Sequence, residues 1–161
     1  LIPLQDNNMI QVVIVGSTST PTKEGIDLQL KEKLVENGVI VLDRYMQNIE
    51  EMYQLADLYV FPVTSKTGSI GIPLSILEAV ASGLHVVTTD PQGGIKLLIS
   101  KNHLLKKYIH IVGSIESMYN SISALLYSPI ENLRIPENIR KSLDWMNIGK
   151  ELHKMMSEKI K

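Results

Sequence analysis

Gly71-Ile-Pro-Leu-Ser-Ile-Leu-Glu-Ala-Val-Ala-Ser-Gly83, followed by His85-Val-Val-Thr-Thr-Asp90 and Gly93-Gly94, decides the reading of this chain. Pro73 suits the first position of a helix, where its missing amide costs nothing, and Gly83 suits the stop. A helix is predicted over Pro73–Ser82, with a short apolar strand at His85–Thr88. The helix start follows a glycine-containing loop. Its first amides, those of Leu74, Ser75 and Ile76, have no acceptor inside the helix and carry the positive end of its dipole. Such a start holds anions, and a diphosphate-linked ligand is the expected occupant. Glu78 stands about one turn in. Its carboxylate can accept two hydrogen bonds from vicinal hydroxyls such as those of a ribose. It can equally serve only the helix start electrostatically, and the motif alone leaves both roles open.

Outward from this segment the chain alternates between apolar strands and amphipathic helices. Gln11-Val-Val-Ile-Val-Gly16 is a continuous β-branched run, the pattern of a strand covered on both faces. Ile26–Glu36 reads as a helix stopped by Asn37-Gly38, and Val39–Leu42 as the second strand. Ile49–Ala56 predicts a short helix with Met52, Leu55 and Ala56 on its apolar side, leading into the strand Leu58–Phe61 and the breaker Pro62. Beyond the central motif follow a helix at Gly94–Ser100, a strand at Ile109–Val112 and a helix at Ile115–Tyr127. Five strands in this rhythm mean right-handed crossovers and an open, parallel α/β sheet with helices on both faces. Residues 1–128 are expected to form this domain. Residues 129–161 form a helical extension packed on it, whose run from Glu137 to Ile160 carries Ile139, Leu143, Met146, Leu152 and Met155.

Composition sets the outer limits. A chain of 161 residues with 44% hydrophobic content can bury roughly one core. A formal net charge of -1 provides no global field for nucleic acid, and none is expected as a partner. With no cysteine there is neither a disulfide framework nor a thiolate nucleophile, which fits a cytoplasmic setting. The histidines at 85, 103, 110 and 153 lack metal-ligand spacing and are assigned structural roles; no metal or other cofactor is expected. The opening at Leu1, without a leader or a membrane-spanning run, reads as a piece of a larger protein.

In an open α/β sheet the ligand lies beyond the carboxyl ends of the strands. Four loops converge there: 16–19, 43–48, 63–72 and 89–94. Two of them are rich in small residues whose amides and hydroxyls can meet phosphate or sugar oxygens.

Tyr53-Gln-Leu-Ala-Asp-Leu-Tyr-Val-Phe-Pro62, then Gly71 through Asp90 and Gly93-Gly94, resembles the C-terminal half of a retaining GT-B glycosyltransferase of the glycogen-synthase-like, group 1 family. The likeness runs from the Val12 strand to Leu143-Asp-Trp145. It implies one Rossmann-like half of a GT-B fold, with a parallel sheet of about five to six strands, and a nucleotide-diphosphate sugar as donor. It also implies a separate N-terminal domain that binds the acceptor, a glycan or a lipid-linked molecule, with peripheral membrane contact in the full protein left open. The resemblance places the base near Tyr45 and Met46, the ribose on Glu78, and the pyrophosphate on Leu74 and Ser75 near Gly16 and Ser17; Arg44 can pair with a phosphate or the base, or equally stay solvated or paired with Asp43. Sugar hydroxyls face Thr67-Gly68-Ser69. Where the family carries a further glutamate upstream of Glu78, this chain has Ile70, so Lys66, Thr67 or Ser69 can take over sugar contacts. The leaving nucleotide would be stabilised by fixed dipoles and cations without a divalent metal. Two alternatives stay open: a non-catalytic binding or scaffold domain, and an epimerase acting on UDP-N-acetylhexosamine.

Overall fold

The computed structural model describes residues 10–16, 26–66, 71–128 and 135–142. The chain divides at Ile49/Glu50 into two compact units.

In the first unit, β1 (Val13–Gly16) and β2 (Ile40–Asp43) pair in parallel, with Val13 opposite Ile40 and Gly16 opposite Asp43. Helix α1 (Ile26–Glu36) joins them and packs on β2. Its end is a Schellman motif. Gly38 adopts φ 75°, its amide meets the Val35 carbonyl at 2.9 Å, and the Val39 amide meets that of Leu34 at 2.9 Å. The stop predicted at Asn37-Gly38 therefore has its full hydrogen-bond set.

The apolar run of β1 predicts a strand covered on both faces, but Val13, Ile14 and Val15 are 41%, 38% and 39% exposed. Within its unit β1 pairs along one edge with β2, and α1 lies on β2, so among the described residues little covers the β1 faces.

The second unit contains the sheet β3 (Leu58–Phe61), β4 (His85–Thr88) and β5 (Ile109–Ile111), all parallel, in that spatial order. Helix α2 (Ile49–Leu55) precedes β3, α3 (Leu74–Ala81) links β3 to β4, and α4 (Gly94–Lys101) with a 3₁₀ turn at His103–Lys107 links β4 to β5. Helices α5 (Ile115–Leu126) and α6 (Glu137–Ser142) follow. Successive strand residues face opposite sides of a sheet, and Val86 and Val87 are both fully buried, so both faces of β4 are covered. This is the open parallel α/β arrangement that the alternation of elements predicts.

The core follows from helical spacing. Ile76, Ala79 and Val80, at i, i+3 and i+4, form the fully buried stripe of α3, which packs on β3 and β4. Met118 and Ile122 face inward from α5, Ile95 from α4 and Leu105 from the 3₁₀ turn. Each fully buried aliphatic side chain is worth about 1.5–3 kcal/mol of transfer free energy. Helix α3 ends, as Gly83 predicts, in a second Schellman motif, with φ 99° at Gly83 and the buried Leu84 donating to Ala79 at 3.0 Å. Helix α5 begins at a reciprocal cap: the Ser117 amide meets the Ser114 hydroxyl at 3.1 Å, and the Ser114 amide meets Ser117 Oγ at 3.0 Å.

Two expectations change in detail. Helix α2 does not bury Leu55, which is 78% exposed, and Ala56 lies outside it; Tyr53 is its buried residue. Tyr53 is drawn inward because its ring packs edge-on against Tyr59 and its hydroxyl finds a partner on α3. Of the C-terminal run, Glu137–Ser142 is helical and packs on α3, with Ile135 and Ile139 buried. Leu143, Trp145, Met146, Leu152 and Met155 lie outside the described residues.

Candidate functional site

The start of α3 is the centre of the candidate site. Pro73 is buried and extended, with φ −64° and ψ 127°, so it caps the helix from outside and Leu74 is the first helical residue. Proline is thus one position earlier than its usual first-turn place, because its ψ has not yet turned helical. The Ile76 amide donates to the Pro73 carbonyl at 3.1 Å, which corrects the expectation that it is free. The tight first turn uses that donor. The amides of Leu74 and Ser75 meet no acceptor among the described residues. Leu74 is exposed and Ser75 half-buried.

Glu78 stands one turn further along the same face, and helical side chains lean back over the turn before them. Its carboxylate is exposed and is steadied from behind: the Tyr53 hydroxyl donates to Glu78 Oε2 at 3.2 Å. Tyr59 sits between, its ring 5.7 Å from that of Tyr53 at 76°, and its hydroxyl shares a hydrogen bond with Ser75. Burial, then the neighbouring tyrosine and the Glu78 carboxylate, push the Tyr53 phenol above its ordinary range. Burial also raises Tyr59, with Glu78 adding to it and the Ser75 hydrogen bond working against it. Both tyrosines stay neutral at physiological pH, with Tyr53 the donor to Glu78. Their contacts are invisible in sequence because the Tyr53–Glu78 pair spans 25 positions.

The loops after β3 and β4 border this helix start. Thr89 donates its hydroxyl to the Val63 carbonyl, and Gln92 Nε2 donates to the Lys66 carbonyl at 3.2 Å. Lys66 itself is exposed. Asp90 accepts the amides of Ile95 at 3.3 Å and Lys96 at 2.8 Å, anchoring the start of α4. Thr67, Gly68, Ser69 and Ile70 lie outside the described residues, so their expected sugar contacts are neither placed nor displaced.

In the first unit, Gly16 and Asp43 end their strands level with one another, and Arg44, Tyr45 and Met46 follow directly. Arg44 is exposed, Tyr45 is 80% exposed and Met46 is half-buried. Asp43 does not pair with Arg44; it takes Lys31 of α1 at 3.1 Å. Ser17 lies outside the described residues.

Among the described residues no group of histidine and acidic side chains is arranged to hold a metal ion, and no helix is long and apolar enough to cross a membrane. His85 and His110 do meet, Nδ1 to Nε2 at 3.1 Å, but across neighbouring strands of the sheet, with Tyr108 edge-on against His85.

The Leu74 and Ser75 amides stand at the start of α3, with the Glu78 carboxylate one turn on. The family model described as "Glycosyl transferases group 1" matches residues 1–142, nearly the whole chain. The chain belongs to the group 1 glycosyltransferases. No curated protein and no solved structure matches it. As a group 1 glycosyltransferase domain, it has a transferase's role in glycosyl transfer, and its parallel α/β construction is that of a Rossmann-like GT-B half.

Proposed function

We propose that this chain is the donor-binding domain of a retaining, metal-independent glycosyltransferase that takes its sugar from a nucleotide-diphosphate donor. An N-terminal domain would complete the enzyme and bind the acceptor, a glycan or a lipid-linked molecule. The observation that carries this reading is the α3 start, where the Leu74 and Ser75 amides and the tyrosine-backed Glu78 carboxylate stand on one helical face.

A diphosphate on those amides would meet the positive end of the α3 dipole, and ribose hydroxyls would donate to Glu78. As the glycosidic bond to the donor phosphate breaks, negative charge grows on the leaving nucleotide. Preorganised amides stabilise that charge without reorganisation. Lys66, an exposed cation on the β3 loop, is assigned to add to this, and Arg44 and Tyr45 are assigned to the nucleoside.

Calorimetric titration with UDP, GDP and ADP and their sugars tests the reading. Binding of one of them at millimolar affinity or better is expected, and failure of all would overturn it. Ile70, in the place of a family glutamate, favours a second reading in which the domain binds nucleotide without turnover. Tight binding in a full-length protein that hydrolyses and transfers nothing would select it.

A further inference from the structure

The loops that leave β3 and β4 start level, because Phe61 pairs with Thr88, and they stay in contact as they run outward. Thr89 donates its amide to the Phe61 carbonyl at 3.4 Å and its hydroxyl to the Val63 carbonyl. Gln92 reaches the Lys66 carbonyl at 3.2 Å. The closest approach is at Gly94, where a Cβ would overlap the Gly71 carbonyl and stand 3.1 Å from Gly71 Cα. Every tie grips main chain on the β3 side, at Phe61, Val63, Lys66 and Gly71, so the β4 loop fixes the backbone at those described positions. Gly71 stands two residues before Pro73, whose carbonyl closes the first turn of α3.

Gly94 cannot retreat from Gly71 to make room. Asp90 clamps the next two amides, those of Ile95 and Lys96, and the Ile95 side chain is only 2% exposed. A methyl group added at Gly94 therefore moves Gly71, and Gly71 carries the α3 start with it. Where groups must be positioned for reaction, a displacement of about 1 Å can cost on the order of a hundredfold in rate. Gly93 provides a contrast one residue away. It holds φ 79°, so a side chain there strains the backbone, yet its Cβ would meet open space.

We infer that the Thr89–Gly94 loop is the template that holds Gly71 and the start of α3, and that Gly94 is a positioning residue for the diphosphate-binding amides of Leu74 and Ser75. Gly94 touches no ligand and acts only through Gly71. The inference rests on the proposed donor site, and it predicts a discrimination that general destabilisation does not produce.

The test compares Gly94→Ala with Gly93→Ala in the full chain, titrated with the nucleoside diphosphate the unsubstituted chain binds and with the matching monophosphate. Gly94→Ala is expected to lower the diphosphate-to-monophosphate affinity ratio at least tenfold. Gly93→Ala lowers the melting temperature but leaves the ratio within twofold. An unchanged ratio in Gly94→Ala, or an equal fall in both variants, overturns the inference. Backbone amide resonances of Leu74 and Ser75 in the ligand-free chain supply a second readout, expected to shift in Gly94→Ala and not in Gly93→Ala. Should no nucleotide bind the unsubstituted chain, the donor-site reading fails, and these resonances still decide whether Gly94 sets the helix start. Should Gly94→Ala not fold, Gln92→Ala removes a tie without adding volume. It is expected to move the same two resonances and lower the ratio about threefold, and no change in either would overturn the template.

Discussion

Strands β1 and β4 are built from the same kind of residues and live in opposite surroundings. Val86 and Val87 of β4 are fully buried, whereas Val13 and Val15 of β1 are 41% and 39% exposed. Strand β4 has a partner on each edge and packs against α3 and α5; β1 pairs only with β2 among the described residues. The difference teaches that β-branched runs specify extended backbone, while burial is set by how many elements close around it. The consequence reaches function, because the helix start proposed to hold the diphosphate stands on the well-packed unit.

The strongest way to break this contrast is to remove equal volumes from both units. Ile76→Ala, at a fully buried position of α3, is expected to cost about 2–5 kcal/mol, the range for truncating a buried aliphatic residue. Ile14→Ala, at a position already 38% exposed, should cost less than about 1 kcal/mol, since little apolar area leaves the protein interior. Denaturant unfolding followed by circular dichroism measures both. Similar losses would show that β1 is packed as tightly as the core under α3.

Ligand affinity sharpens the same contrast. Glu78→Ala should weaken nucleotide-diphosphate binding by about 1–3 kcal/mol, because a charged acceptor for the ribose is lost. Tyr53→Phe removes only the hydrogen bond that steadies the carboxylate and should cost about 0.5–1.5 kcal/mol. Tyr45→Ala in the first unit is expected to cost about 1 kcal/mol or less, since its ring is 80% exposed and offers one stacking face. Calorimetry that ranked Tyr45 above Glu78 would move the centre of recognition to the other unit.

The His85–His110 contact gives the second unit an acid sensitivity that the first lacks a counterpart for among the described residues. Two ring nitrogens 3.1 Å apart need one N–H and one lone pair, so both cannot be protonated there. Burial holds the His110 pKa below its ordinary value. A group whose protonated form is disfavoured by folding takes up its proton more readily when unfolded. Stability should therefore be full above about pH 6.5 and fall as the pH drops below it, by at most about 1.4 kcal/mol per pH unit for one proton. His110→Gln should flatten that slope in thermal melts between pH 7 and pH 5. A slope unchanged in the variant would assign the acid sensitivity elsewhere.

Much of this was legible from residue type and spacing, and the exceptions share a physical cause. The glycine stops at Gly38 and Gly83, the helix opened after Pro73 and the placement of Glu78 one turn in follow from local backbone rules. Those rules act over a few residues, and sequence displays them directly. Tyr53 against Glu78, His85 against His110 and Gly94 against Gly71 each join positions 23 or more apart. Their pairing depends on strand order and loop path, which no local pattern encodes. The free Ile76 amide fails for a subtler reason: whether a helix opens with a tight turn depends on ψ at the residue before it.

The smallest expected effect concerns Lys31 and Asp43, which tie α1 to the end of β2 at 3.1 Å. Both side chains are over 40% exposed, so water screens most of the attraction and holding two mobile side chains together costs entropy. Asp43→Asn should therefore change unfolding stability by no more than about 0.5 kcal/mol, and less in high salt. The residue nonetheless sits directly before Arg44 and level with Gly16 at the carboxyl edge of its sheet. Freed from Asp43, Lys31 would leave an additional cation at that edge, beside Arg44. An affinity for nucleoside diphosphate that rises in Asp43→Asn while stability stays flat would give the first unit an electrostatic part in binding. Unchanged affinity would confine recognition of the phosphates to the amides of α3.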